Sequence, residues 1–236
     1  LIGVAFVFGL AWALSTNRKQ FPWRIAAVAL LMEVVLAASM LMVPPLRAGL
    51  GAVSAGLDGL QAATLEGSRF VFGYLAGGAA PFDVTQPQNT TILAFGVLPL
   101  IIVVSALSAL LWRWGVLEWA CRGLGFVLRK TMGISGALGL ATGANIFLGM
   151  VEAPLVVRPY LQRMSRADLF VIMTTGMATI AGTVMALYAS FLSGTSPDAA
   201  GHILVASFMA APGSIAIARV MMPAAGADVS AEVEKG

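Results

Sequence analysis

The chain has 236 residues, of which 59% are hydrophobic and only 11% charged, with a mean hydropathy of +0.90. No soluble domain of this size hides so much apolar surface in a core, so the composition excludes a water-soluble enzyme and makes the lipid bilayer a partner. The net charge of +3 calls for no nucleic-acid partner, and the single cysteine, Cys121, excludes an intramolecular disulfide framework and reads as an inert, packed or lipid-facing thiol.

Residues 1–14 are apolar but only about 21 Å long as a helix, short of the ~30 Å hydrocarbon core. With no initiator Met, no basic leader and no A-x-A site, the segment reads as one missing its first residues, not as a signal peptide. Residues 25–43 are long enough to span and end at Pro44-Pro45. Glu33, near the middle of that span, is expected to face protein, in a structural hydrogen bond or a functional role. Residues 46–74 space Arg47, Asp58, Gln61, Glu66 and Arg69 among Leu, Val and Ala, the pattern of an amphipathic helix lying at the interface. Residues 77–91, with two Gly and two Pro, then form an external loop.

Residues 92–111 span again, with Pro99 predicting a kink and Trp112, Trp114 and Trp119 an interfacial belt. Residues 112–130 predict a second amphipathic helix. In residues 132–158 the apolar runs are interrupted by Gly133, Gly136, Gly139, Gly143, Gly149 and Pro154, and both flanks are basic. Entering and leaving on one side make this a re-entrant helical hairpin, two half-helices meeting around residues 145–152, a geometry tolerated at membrane depth only where it is buried in protein or lines a cavity. Glu152 at that depth is costly by at least ~2.5 kcal/mol, and so marks a functional site. The alternative is a kinked span with Glu152 satisfied by a neighbour.

Ser165 and Asp168 predict an N-cap box opening a span over residues 169–192. Thr175, Thr179 and Thr183 recur on one face of it, while Ala178 and Gly182 suit close helix packing. After a loop at 193–201, residues 203–222 make the last span, bent at Pro212-Gly213, with His202 solvated at its outer end and a polar tail or linker after residue 222. The loops carrying Arg18, Lys19 and Arg24, then Arg113 to Lys130, then Arg158 to Arg166, with Arg219 and Lys235, put twelve of the fourteen basic residues on one side, the cytoplasmic one. The fold class is therefore all-α, a multi-pass helical membrane protein with interfacial amphipathic helices and a re-entrant hairpin. No His, Cys or phosphate motif suggests catalysis.

NIFLGMVEAPLVVRPYL (145–161), followed by TTGMATIAG and preceded by SRFVFGYL and VLPLIIVVSAL, resembles the concentrative nucleoside transporter family, symporters that import nucleosides with Na⁺ or H⁺. The resemblance implies a homotrimer in the inner (plasma) membrane, with a scaffold (residues 1–131) around a mobile transport domain (132–222). Two hairpins, of which this chain holds the first, meet at the substrate. It implies a cation site at the Asn145 side chain, the Leu148 and Ile180 carbonyls and the Thr179 hydroxyl, and a substrate wall of Glu152, Met150, Val151 and Val184. The two residues before the glutamate are usually Gln and Ser or Thr, which bond the nucleobase, whereas Met150 and Val151 do not. No organic cofactor is implied. The second hairpin and the ribose-binding residues lie outside this chain, so it carries half a site: a fragment, or a gate-type half-size module that works with a partner. Na⁺ and H⁺ coupling, the latter through Glu152, both remain open.

Overall fold

A computed structural model of the chain describes residues 2–85, 92–192 and 199–224, the side chains of Leu41 and Arg47 excepted. The described residues form helices and their connections, with no strand. Among the described residues, four stretches are long and apolar enough to cross a membrane: Trp23–Met40, Leu93–Arg113, Arg166–Leu192 and Ala199–Met221. The chain is an all-α, polytopic membrane protein.

Helix α1 (Ile2–Ala13) carries no ionisable residue, and α2 (Trp23–Met42) buries Ala26 and Ala29 while Leu31, Val34 and Val35 are each more than half exposed. A continuous apolar face of this kind is a lipid face. Val43 is extended, the conformation favoured before a proline, and Pro44 opens α3 (Pro44–Phe72), one unbroken amphipathic helix. A 3-10 turn (Gly73–Ala76) follows, and residues 77–85 are non-helical; the rest of the predicted external loop lies outside the described residues.

The predicted kink at Pro99 is a full break placed two residues earlier. Val97 separates α4 (Leu93–Gly96) from α5 (Leu98–Arg113), and Pro99 sits in the first turn of α5, where its missing N–H costs nothing. The second amphipathic helix, α6 (Val116–Met132), starts later than expected. Trp112 belongs to the end of α5, and Gly115 turns the chain at φ 77°, a left-handed conformation open to glycine.

The glycines of the hairpin are the main correction. Gly136, Gly139 and Gly143 do not interrupt a helix; they lie inside α7 (Gly136–Leu148), on the face that α6 covers. A Cβ at Gly139 would lie 2.7 Å from the Gly125 carbonyl oxygen, and one at Gly143 2.7 Å from that of Cys121, so α6 and α7 pack backbone on backbone. Cys121 is accordingly fully buried, and burial pushes its thiol up to about 11. The real reversal is Gly149 at φ 86°. The returning arm is not one half-helix but two single turns, α8 (Ala153–Val156) and α9 (Arg158–Leu161), because Pro159 removes the N–H that would join them. Val157 and Leu161 pack in one cluster with Met132, Ile134 and Leu138 at the start of α7, so the chain returns to the end it left.

The predicted span 169–192 is also broken. Helix α10 (Arg166–Ala178) stops at Thr179 (ψ 155°), the Ile180 N–H donates to Ser207 Oγ (3.2 Å) instead of a helical carbonyl, and α11 (Gly182–Leu192) resumes. Thr183 therefore leaves the stripe of Thr175 and Thr179, and Ala178 is exposed; the close packing is at Gly176 and Gly182. Ser165 caps α10, its Oγ accepting from the Asp168 N–H (3.1 Å). Asp168 does not complete a capping box: its carboxylate pairs with Arg219 at 2.5 Å, both side chains at most 5% exposed. The last helix, α12 (Ala199–Met221), is the spine of the fold. It packs on α2, α10, α11, α3 and α1 and contains Pro212. His202 is exposed; residues 193–198 of the loop before it, and the tail from 225, lie outside the described residues. Two tethers, Thr16 N–H to the Met221 carbonyl (2.9 Å) and Asp168 to Arg219, gather basic chain ends at one end of the helices.

Candidate functional site

Two helix interruptions meet at the hairpin tip. Helix α7 ends at Leu148 and α10 at Ala178, and each leaves its last carbonyls without helical N–H partners. They are held together closely: a Cβ at Gly149 would lie 2.7 Å from the Ala181 Cβ, one at Gly176 2.7 Å from the Met150 Cβ, and one at Gly182 3.2 Å from the Phe147 carbonyl oxygen. Two negative dipole ends thus converge on one spot.

Asn145, fully buried, stands in the last turn of α7 at that spot. Its Nδ2 donates to the Ile172 carbonyl (3.1 Å), which turns Oδ1 away, and Oδ1 is buried with no hydrogen-bond partner among the described residues. The Thr179 hydroxyl shares its hydrogen between the Asn145 carbonyl (3.2 Å) and the Thr175 carbonyl (2.9 Å), so its lone pairs stay free. The structure therefore brings Asn145 and Thr179 into contact, with Leu148 at the end of α7 and Ile180 in the break between α10 and α11. An orphaned buried amide oxygen among neutral oxygens at two helix C-termini fits a hard monovalent cation. Sequence reasoning missed the polar groups behind it. The Thr142 hydroxyl, one turn before Asn145, is buried and unpartnered among the described residues, and Ser214 Oγ donates to Thr175 Oγ1 (3.1 Å). Nothing in the sequence spacing joins α12 to the Thr175 face.

The expected substrate wall is only partly assembled. Met150, Val151 and Glu152 share the turn after α7; Met150 rests on Gly176, Val151 is 75% exposed, and Val184 is exposed in the first turn of α11. Glu152 lines a cavity of about 300 Å³ with Ser105, Ser108, Trp112, Phe147 and Thr183, and the other three wall residues do not line it. Glu33 makes no hydrogen bond or ion pair among the described residues; its half-buried carboxyl rests on Gly213 beside Pro212 of α12.

Residues 2–75 match the family model described as Na⁺ dependent nucleoside transporter N-terminus, and residues 94–195 the one described as nucleoside recognition. An uncharacterized transporter of Haemophilus influenzae is 38% identical over 94% of this chain and 51% of its own length. The nucleoside permease NupC of Helicobacter pylori is 35% identical over 98% of this chain and 55% of its own. Sodium/nucleoside cotransporter 2 of Rattus norvegicus is 33% identical over 94% and 31%. Among solved structures, CNTnw in an inward-facing substrate-bound state superposes with a TM-score of 0.84 at 37% identity, covering 96% of this chain and 54% of that one. The chain spans about half the length of the bacterial relatives it matches. With both halves of the described fold matched in order, and with helix breaks and hairpin in a backbone that superposes on a transporter of the same kind, the chain belongs to the concentrative nucleoside transporter family.

Proposed function

We propose that this chain is the first-hairpin half of a cation-coupled symporter that imports nucleosides or related compounds across the inner (plasma) membrane by alternating access. The observation that carries the reading is the buried, unpartnered Asn145 Oδ1 at the convergence of two helix C-termini. Na⁺ is favoured over H⁺ as the coupling ion because Asn145, Leu148, Thr179 and Ile180 offer neutral oxygens, which suit a hard cation, whereas a proton needs a titratable group. A cation seated there ties the hairpin tip to the α10–α11 break, and by linkage raises the affinity for substrate at Glu152, four residues beyond Leu148. The dividing surface between static and moving parts is proposed to run between α5 and the hairpin, earlier in the chain than the expected boundary at residue 131, with α6 on the hairpin's side because its backbone is packed against α7. A second hairpin and a homotrimeric assembly complete the site and the scaffold in this reading.

The test is uptake of radiolabelled uridine and adenosine into proteoliposomes holding the full-length protein. Accumulation is expected only with an inward Na⁺ gradient and is lost in Glu152→Gln; in Asn145→Ala the Na⁺ needed for half-maximal uptake rises about tenfold or more, the effect of losing one ligand to a charge. Unchanged sodium dependence in Asn145→Ala and Thr179→Ala removes the cation site, and no uptake under either a Na⁺ or a H⁺ gradient removes the symporter.

A further inference from the structure

Hydroxyl groups on membrane helices ordinarily bond back to the carbonyl three or four residues earlier. Ser39, Thr64, Thr174 and Ser214 all do so here, at 2.7–3.0 Å. Ser105 and Ser108 on α5 and Thr183 on α11 do not: none of the three makes a hydrogen bond within the described residues. All three line the same cavity as Glu152, whose carboxylate is likewise unpaired within the described residues. Ser105 is exposed and Ser108 and Thr183 are half-buried on the cavity wall, so their hydroxyls are open to whatever fills the cavity. Ser105 and Ser108 are three residues apart and share a face of α5 with Ala109 and Trp112. Small Ala109 leaves room, and Trp112 with Phe147 supplies aromatic walls. Aromatic surface, one carboxylate and three free hydroxyls recognise a flat ring with polar edges.

We propose that Ser105 and Ser108, with Thr183, are specificity-determining residues that hydrogen-bond the polar edge of the transported nucleoside's base beside Glu152, supplying the contacts that Met150 and Val151 lack. This rests on the symporter reading above and adds to it a wall contributed by α5. The arrangement explains how a hairpin with an apolar tip still selects its substrate: a site built to bond polar edges rejects analogues that lack them far more sharply than an apolar one.

Two measurements on the full-length protein in proteoliposomes test it. In the Ser105→Ala, Ser108→Ala double variant, KM for whichever of uridine and adenosine is taken up rises about tenfold, the loss of one or two hydrogen bonds, while the maximal rate stays within about twofold; Ser108→Thr, which keeps the hydroxyl, restores KM. In Ser108→Cys, a water-soluble methanethiosulfonate reagent blocks uptake, and nucleoside at ten times its Kd slows the block about tenfold by occupancy alone. Cys121, buried, gives no competing signal. Unchanged KM in the double variant, or an introduced thiol that is unreactive or unprotected while the parent protein transports, overturns the role of α5 and leaves the symporter standing. A parent protein that takes up neither nucleoside overturns both.

Discussion

At the scale of single residues, the Asp168–Arg219 pair shows how position in a helix settles charge. Asp168 lies in the first turn of α10 and Arg219 in the last turn of α12, so each faces the helix end that stabilises it, and the pair is otherwise dry. Removing one partner strands a buried charge and is expected to cost about 3–5 kcal/mol, whereas an Asp168→Leu, Arg219→Met double variant recovers most of it. Thermal unfolding of the detergent-solubilised protein measures this, and single variants as stable as the parent would contradict it. The pair was not legible in the sequence, because its members are 51 residues apart and each has a local reading, one as a capping residue and one as part of a basic tail. Asn145 and Glu152 were legible for the opposite reason: a polar or ionisable group in an apolar stretch has few bland explanations. Ser105 and Ser108 were not, since serine at membrane depth usually satisfies itself.

At the scale of elements, glycine carried two meanings that composition alone does not separate. The broken hairpin, the amphipathic helix after α5 and the order of the spans were all readable from apolar run lengths and flanking charge. Which glycines bend the chain and which let two backbones touch depends on the partner helix, and α6 was not visible as the partner of α7. Glycines on α6 itself respond to substitution in opposite ways according to what they face. A Cβ at Gly125 would sit 2.8 Å from the Gly139 carbonyl group, so Gly125→Ala or Gly139→Ala is expected to destabilise by about 1–3 kcal/mol. Gly123, two residues away on α6, would meet nothing within 4 Å of an added Cβ, and Gly123→Ala is expected to stabilise by about 0.5–1 kcal/mol. Melting temperatures of the three variants decide it; equal effects would mean the helices do not touch as described. The break in α10–α11 was hidden for a similar reason: Thr179 and Ile180 are compatible with helix, and it is Ser207, on another element, that takes the Ile180 N–H.

At the scale of the whole molecule, the proposed cation site, by joining the hairpin to the α10–α11 break, would make stability depend on the ion. Ligand binding to the folded state alone adds about 2.7 kcal/mol at one hundred times Kd. The full-length protein is therefore expected to melt higher in NaCl than in choline chloride of equal strength, and the difference to vanish in Asn145→Ala. A sodium effect that survives this substitution would put the ion elsewhere.

The fusion of α6 to α7 through glycine has a mechanical consequence. Trp119 and Phe126 leave α6 largely exposed, as suits a helix lying at the membrane surface. Under the proposed alternating access, a binding site that shifts along the membrane normal would drag this paddle through the lipid headgroups. In the transport cycle proposed above, the bilayer would act as a spring, its thickness and bending stiffness entering the energy barrier alongside the protein's own contacts.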